Sequence, residues 1–409
     1  MKVEVERRPI RVPGFRFAGV RAGLKASGKR DVAVLFSETP AVAAAAFTTN
    51  RVKAAPVQLA ITRAARGRLQ AIVVNSGNAN AYTGRTGLQV AKHMCGVAAD
   101  VLGIDPLDVI PSSTGRIGAQ LPRAKIERGV RAACKALSAD GFHDALEGIM
   151  TTDAFPKFGV ESLVVDGREI TVAGMAKGAG MIAPRLTRQA PKQATMLAYF
   201  LTDAAVTPAA LRRGGERGRA VAVSRVRVDG DRSSSGTVVV LANGVAGNAP
   251  ITLRSRAFPE LCGAVGRLME RLARALIKDG EGATKVVDIR VRGARNVADA
   301  ERAAEAIARS PLCKTAFYGS DPNMGRVICA LGYSGAHFDP TKIDVFLDDL
   351  QIVRRGVEIT GSVEKQAHRK MKADEFTLTI DLRAGNSVAH RVTCDLSVEY
   401  VHFNSAYTT

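Results

Sequence analysis

The stretch TVAGMAKGAGMIAPRLTRQAPKQATMLAYFLTD, residues 171–203, decides how this chain is read. Its first half, Ala176-Lys177-Gly178-Ala179-Gly180-Met181-Ile182, is punctuated by glycine and runs into Pro184. Such a segment holds neither a helix nor a ladder strand for long, so a shaped loop is expected. The second half, Thr195 to Thr202, is almost wholly apolar and starts abruptly, the pattern of a strand buried on both faces. A polar loop, Arg185 to Gln193, separates the two. A threonine where an exposed loop meets a buried strand can cut its own chain. Its hydroxyl attacks the preceding carbonyl, and the amine released then serves as a general base. The other reading of Thr195, an ordinary strand-start residue, stays open at this point.

The 409 residues suffice for a sizeable core and for two or three domains. With 46% hydrophobic and 24% charged residues, the composition is that of a soluble globular protein rather than a disordered one. No apolar run is long enough to cross a bilayer. The opening MKVEVERRPIRVPGFRFAG lacks the continuous hydrophobic region of a signal peptide. Cysteines 95, 134, 262, 313, 329 and 394 are scattered, with no CxxC pair. Buried free thiols and a cytoplasmic location are therefore expected. The formal charge of +19 fits either a nucleic-acid partner or a solvated basic surface. The basic residues are spread along the whole chain, aromatics are 5%, and no tryptophan is present for stacking. The solvated surface is favoured, with no nucleic-acid or membrane partner.

Read in order, residues 14–60 give short strands, with Val32–Phe36 and Ala43–Phe47 as the apolar pieces. A buried-strand run, 69–74, ends in Asn75-Ser76-Gly77-Asn78-Ala79-Asn80, followed by a helix over 88–102. A polar loop at a strand's carboxyl end is either a ligand site or an asparagine-rich turn serving its own backbone. Val109 to Gly118 repeats the strand-into-loop pattern. Its Thr114-Gly115 pair can turn a hydroxyl and a backbone N–H toward one point, as an oxyanion hole requires, although Ser-Thr-Gly turns are also common. Amphipathic helices follow, one presenting Ile126, Val130, Ala133 and Leu137, the next running from Ala139 to Met150 and into Thr151-Thr152-Asp153.

Beyond residue 203, a short basic helix (208–219), strands at 225–228 and 237–242, and a long amphipathic helix (260–277) are expected. Asp229 and Asp231 lack the rest of a calcium loop, and 279–285 lacks the spacing of a phosphate-binding loop. From Val286 the pattern is strand, helix (297–310), a turn-rich segment at 317–326, then strands near 343–355, 375–383 and 392–400. The terminus from Asn404 reads as a polar tail. No His/Cys spacing fits a metal, and no GxSxG or kinase signature is present. A threonine nucleophile is the best remaining chemical candidate.

Taken together, these segments resemble the glutamate N-acetyltransferase (ornithine acetyltransferase) family of arginine biosynthesis. The strings are FTTNRVKAAPV at 47–57, NSGNANAYTG at 75–84, STGRIG at 113–118, MTTD at 150–153, AKGAGMIAP at 176–184 and ATML at 194–197. DGEGATK at 279–285, GSDPNMGR at 319–326 and YVHFNSAYTT at 400–409 complete the set. The resemblance implies an α/β fold, a layered α-β-β-α sandwich with a smaller C-terminal α/β unit at about 285–400. It implies self-cleavage between Ala194 and Thr195 into an α chain (1–194) and a β chain (195–409), assembled as an α2β2 heterotetramer. Thr195 is then the nucleophile, and Thr114 and Gly115 form the oxyanion hole. Thr151, Lys177, Thr195, Glu281, Asn404 and Thr409 match the substrate-contacting positions. Lys177 suits a substrate carboxylate and Glu281 a substrate ammonium. The implied reaction is ping-pong acetyl transfer from N-acetylornithine to glutamate through acetyl-Thr195, without metal or organic cofactor. Some members of the family also use acetyl-CoA.

Three rivals stand beside this reading. One is an N-terminal-nucleophile amidohydrolase or aminopeptidase that passes the acyl group to water. Another is a basic nucleic-acid-binding protein. The third is an uncleaved relative without activity, for which the sequence offers a motive. Seven extra positions, 185–191, follow Pro184 and carry Arg185 and Arg188, and Lys192-Gln193 replaces the small or apolar residues usual before the scissile alanine. Tyr82, Met324 and the Arg232-Ser-Ser-Ser-Gly run also depart from the family pattern, as changes of packing.

Overall fold

The computed structural model describes residues 9–183, 186–187 and 196–406. The chain forms two compact units, one reaching to Ser224 and resuming over Asp231–Leu276, the other made of Arg225–Gly230 and the chain from Ile277. In chain order the first unit contains β1 (Phe15–Val20), β2 (Val32–Thr48), α1 (Ala55–Ala64), β3 (Arg68–Asn78), α2 (Gly84–Leu102) and β4 (Val109–Arg116). Next come α3 (Arg123–Lys135), α4 (Phe142–Ile149), β5 (Lys157–Val165), β6 (Arg168–Lys177), β7 (Leu186–Thr187), β8 (Leu197–Thr202) and α5 (Pro208–Val221). The short β9 (Val226–Arg227) belongs to the second unit, and β10 (Thr237–Ala242) and α6 (Ala257–Lys278) return to the first.

The first unit's sheet runs β4-β3-β2-β10-β8-β6-β5, with β1 and β7 also paired to β2. A flat sheet spaces its strands by about 4.8 Å, so β4 and β6, five places apart, would lie about 24 Å from one another. Yet Lys177 at the end of β6 reaches Thr114 on β4 at 3.3 Å. The sheet is therefore strongly coiled, its two halves facing each other across a common core. Leu35, Ile72 and Val74 from one half meet Met175, Tyr199 and Val239 from the other in that core, joined by Phe142 and Ile149 of α4. Helices α2 and α3 cover the outer face of the first half through Met94, Val97, Ile126 and Val130. On the other half, α6 lays Leu268 against Gly159 and Gly174, and α5 packs Gly215 against Val240. The layers are α-β-β-α, as the resemblance implies.

Local chemistry explains where the sequence reading and the structure part. Val32–Phe36 and Ala43–Phe47 are one continuous strand, because the register against β3 shifts between Phe36 and Ala41. Pro40 sits in that irregularity, where a missing N–H costs no ladder bond. Residues 55–64, read as part of a strand region, form α1, with Pro56 in its first turn. The loop expected from Ala176 begins only at Gly178, since β6 keeps pairing with β8 through Lys177↔Leu197. The expected buried strand is β8, with all six residues buried. Within the extra segment, Leu186 and Thr187 pair with Thr48 and Phe47 as β7, at the end of β2 that β3 has left.

The second unit contains β11 (Val286–Ala294), α7 (Val297–Arg309), α8 (Pro311–Tyr318), α9 (Met324–Gly332), β12 (Asp344–Leu347), β13 (Leu350–Arg354) and β14 (Val357–Glu358). It ends with α10 (Ser362–Lys370), β15 (Glu375–Asp381), β16 (Ser387–Cys394) and α11 (Val398–Ala406). Its sheet runs β14-β13-β12-β15-β11-β16-β9 and buries Ile289, Val345 and Leu378 against Ala304, Ile307 and Phe317. The turn-rich segment at 317–326 spans the end of α8, a short link over 319–323 and the start of α9. Ser310 accepts from Cys313 N–H to cap α8, and Asn323 accepts from Arg326 N–H to cap α9. The strand expected over 392–400 stops at Cys394, and the expected tail from Asn404 instead extends a helix to Ala406. α10 was not expected. Cys95, Cys134, Cys313 and Cys394 are buried free thiols, Cys262 is partly covered, and Cys329 is exposed, against the expectation for all six.

Inside this unit Arg227, 2% exposed, reaches Glu305 at 2.9 Å, and Arg391 reaches the same carboxylate at 2.9 Å. Burial alone would raise the Glu305 pKa, but the two guanidiniums outweigh it and hold the group at about 2. A carboxyl depressed in the folded state stabilises above its unfolded pKa, and that stability is lost as pH falls through the folded pKa. Urea unfolding of Glu305→Gln at pH 7 should show a loss of about 3 kcal/mol. Wild-type stability should decline between pH about 4.5 and about 2 more steeply than that of the variant.

Candidate active site

Three loops of the first unit meet around one carboxylate. Asp153 lies just past α4, its side chain shut off from solvent. It accepts from Thr151 N–H at 2.8 Å and from Gly178 N–H at 2.6 Å, which ties the end of α4 to the end of β6. Lys157, also without side-chain exposure, donates to it at 2.6 Å, and Lys177 stands 3.8 Å away. Burial pushes the Asp153 carboxyl up, but Lys157, Lys177 and the Gly178 N–H outweigh it and hold the group well below the usual carboxylate range.

Lys177 is the node. Its ammonium donates to Thr151 Oγ1 at 2.6 Å and to Thr114 Oγ1 at 3.3 Å. A hydroxyl that accepts from an ammonium keeps its own O–H for another acceptor, so Thr114 can aim a donor at an oxyanion. Gly115 next to it has φ +123°, and a Cβ there would sit 2.5 Å from the Gly77 carbonyl carbon. Only glycine fits that close approach of β4 to β3. Ser76, paired in register with Thr114, donates from Oγ to the Gly148 carbonyl at 2.6 Å, fixing β3 to α4.

The asparagine-rich turn serves its own backbone. Asn75 accepts from Ser113 Oγ at 2.6 Å and donates to Asn78 O at 2.8 Å, and Asn80 donates to Gly87 O at 2.9 Å. These side chains shape the loop next to Thr114 rather than face a ligand.

In the second unit, Glu281 accepts from Asn404 Nδ2 at 3.0 Å. The turn carrying Glu281 needs Gly282, with φ +69°, because a Cβ there would lie 2.6 Å from both Ser397 Oγ and Tyr400 N. Asp395 secures the same turn by accepting from Thr284 and Lys285 N–H at 2.8 and 3.0 Å. The structure thus joins Thr114, Thr151 and Lys177 in one unit and Glu281 with Asn404 in the other. Ala194, Thr195 and Thr409 lie outside the described residues. Leu197, two residues beyond Thr195 in sequence, is the register partner of Lys177.

Sequence reasoning noticed Asp153 only as a capping or binding group and passed over Lys157. The Asp-to-Lys spacing of four was their one signal, and on a loop entering a strand it has no helical meaning. Of the departures from the family pattern, Met324 is buried in the second core and Ser233 to Ser235 are buried in the first unit. Tyr82, at 79% exposure, lies at the surface rather than in a core. Among the described residues, no helix is long and apolar enough to cross a membrane, and no group of three His, Cys, Asp or Glu side chains is placed to hold a metal.

Comparison with known proteins bears on this geometry. Residues 16–409 match the ArgJ family. The arginine biosynthesis bifunctional protein ArgJ of Symbiobacterium thermophilum is 45% identical over 97% of both chains. Its counterpart in Geobacter sulfurreducens is 42% identical over 98% of this chain and all of its own. A crystal structure of the ArgJ protein from Bacillus halodurans, 34% identical, covers 50% of this chain and 96% of its own with a TM-score of 0.48. On the strength of the family match over residues 16–409 and of the two full-length relatives at 45% and 42% identity, the chain belongs to the ArgJ family.

Proposed function

We propose that this chain is a glutamate N-acetyltransferase that moves an acetyl group from N-acetylornithine to glutamate by way of an acetyl ester on Thr195. The single observation that carries the reading is the Lys177 node, which gives one site an ammonium for a substrate carboxylate and a hydroxyl donor for an oxyanion. The whole-length identity with arginine-biosynthesis proteins supports the choice of substrates.

Maturation comes first. The Thr195 hydroxyl adds to the Ala194 carbonyl, the peptide C–N bond breaks, and the resulting ester is hydrolysed by water. The products are an Ala194 carboxylate and a free Thr195 amine. In the first half-reaction that amine takes the hydroxyl proton as Oγ attacks the acetyl carbonyl. The tetrahedral oxyanion is met by Thr114 and Gly115. Collapse breaks the amide C–N bond, and the leaving ornithine nitrogen collects the proton. In the second half-reaction the amine of glutamate attacks the ester, Thr195 Oγ leaves and regains a proton, and N-acetylglutamate departs. Lys177 and Thr151 hold the α-carboxylate of each amino acid in turn. Glu281, oriented by Asn404, is the partner for a substrate ammonium. The two fragments remain together as α2β2, working in the cytoplasm.

Intact mass under denaturing conditions tests the maturation step. Two fragments are expected, the second beginning at Thr195, whereas Thr195→Ala should remain one chain without activity. A single full-length mass for the wild type would overturn the mechanism. Sizing of the native protein should return twice the mass of one cleaved chain pair. Ornithine release should depend on glutamate; release indifferent to it would favour hydrolysis by water. Asp153→Asn, which leaves the Lys157 ammonium buried beside no carboxylate, should cost about 3–5 kcal/mol in urea unfolding. Thr151→Val, which removes only one hydroxyl, should cost about 1 kcal/mol while raising KM for the donor.

A further inference from the structure

A second lysine reaches the paired Gly77 and Gly115, next to Thr114 of the Lys177 site. Lys25 lies on the loop between β1 and β2, which Asp31 folds tightly by accepting from the N–H groups of Ala22, Leu24 and Lys25. Arg30 pins the same loop to α4 through Glu147 and Asp144, just ahead of the Thr151–Asp153 turn. The Lys25 side chain crosses Gly77, its Cγ only 3.1 Å from where a Cβ would be, and Gly77 is the register partner of Gly115. The lysine is half-buried, and its ammonium donates to the Arg30 carbonyl. Among the described residues no carboxylate stands within ion-pair distance of it. Asp31 is occupied by backbone N–H groups, Glu147 by Arg30 and Asp153 by the other two lysines. A partly buried cation with no carboxylate of its own is costly to keep unless an anion visits it.

The proposed reaction supplies such an anion. Both amino acids bring an α-carboxylate, for which Lys177 suffices. Glutamate brings a second carboxylate on its side chain, whereas ornithine brings an ammonium there. We infer that Lys25 is a specificity-determining residue that receives the side-chain carboxylate of the acceptor amino acid. This assignment rests on the acetyl-transfer reading. Burial lowers the Lys25 pKa to about 8, with Lys177 pushing the same way and Asp31, Asp153 and Glu147 opposing. The proton is thus held near neutrality but is given up more easily than that of a solvated lysine. A cationic side chain in the cleft is tolerated, and an anionic one is drawn in.

The test is acceptor discrimination by the mature enzyme with saturating N-acetylornithine. Glutamate is compared with glutamine, which has the same shape without the charge. The wild type should favour glutamate. Lys25→Gln should cut kcat/KM for glutamate by about tenfold or more, chiefly through KM, and that for glutamine by less than about threefold. Lys25→Arg should retain the preference, a rescue that a purely structural role would not require. Lys25→Met serves the same comparison if the glutamine variant fails to accumulate. Parallel losses for both acceptors, or an unchanged ratio, would overturn the assignment while leaving acetyl transfer intact. A wild-type enzyme that transfers no acetyl group to glutamate would overturn both.

Discussion

A carboxylate with no water around it must find its stabilisation in the protein, and Asp153 finds it in three separate parts of the chain. Two backbone N–H groups and two lysines converge there from the end of α4, the start of β5 and the end of β6. None of these groups can move far without leaving a buried charge unmatched. Lys177 inherits its position from that constraint, and Thr114 and Thr151 take theirs from Lys177. The site's order is therefore set from below, by a pair that need not touch a substrate.

The same constraint acts on the fold. Strands β4 and β6 are far apart in the sheet order, and only the coiling of a single long sheet lets their ends meet. β2 makes the coiling possible. It spans seventeen residues, changes register near Pro40, and so serves both halves without a break. Gly115 then lets two strand ends approach more closely than a side chain would allow, and Gly77 leaves room for the loop carrying Leu24 and Lys25. The second unit uses a comparable device at Glu305, where two arginines share one carboxylate to bind β9 and β16 to α7.

How much of this could be read in advance depended on the range of the cause. Strand β8 was legible because burial on both faces leaves a continuous apolar run, and α6 because its apolar residues recur at helical spacing. Helix α1 was not, since Ala-Pro-Val reads equally well as a strand edge. The continuity of β2 was hidden by Glu38-Thr39-Pro40, which locally has the chemistry of a turn. Thr114 was legible as a Thr-Gly turn and Thr151 as a capping or binding hydroxyl, but their place in one site with Lys177 entered through resemblance, because their meeting depends on sheet coiling that no window of sequence contains. Lys25 had no signal of its own, and Lys157 only its spacing from Asp153; a lone lysine gains meaning only from what surrounds it.

The basic excess of the chain takes on a different sense once partners are known. Repeatedly, one carboxylate serves two guanidiniums. Asp108 meets Arg66 and Arg68, Glu161 meets Arg267 and Arg271, and Asp299 meets Arg295 and Arg302. The Glu161 and Asp299 groups are each locally positive by one charge, whereas Asp105 also pairs with Arg66 and makes the Asp108 group neutral, and such groups occur in both units rather than along one stripe. A nucleic acid wants a continuous row of unspent cations at phosphate spacing. Shared arginines are already committed, so most of their energy is spent within the fold. What remains is a broad positive field, which raises the local concentration of small anions without fixing where they bind. Binding must then come from groups at the site itself, where Lys177, although it lies near Asp153, still donates to Thr114 and Thr151. A protein whose substrates all carry carboxylates gains from that division: attraction is spread over the surface, and recognition is confined to the site.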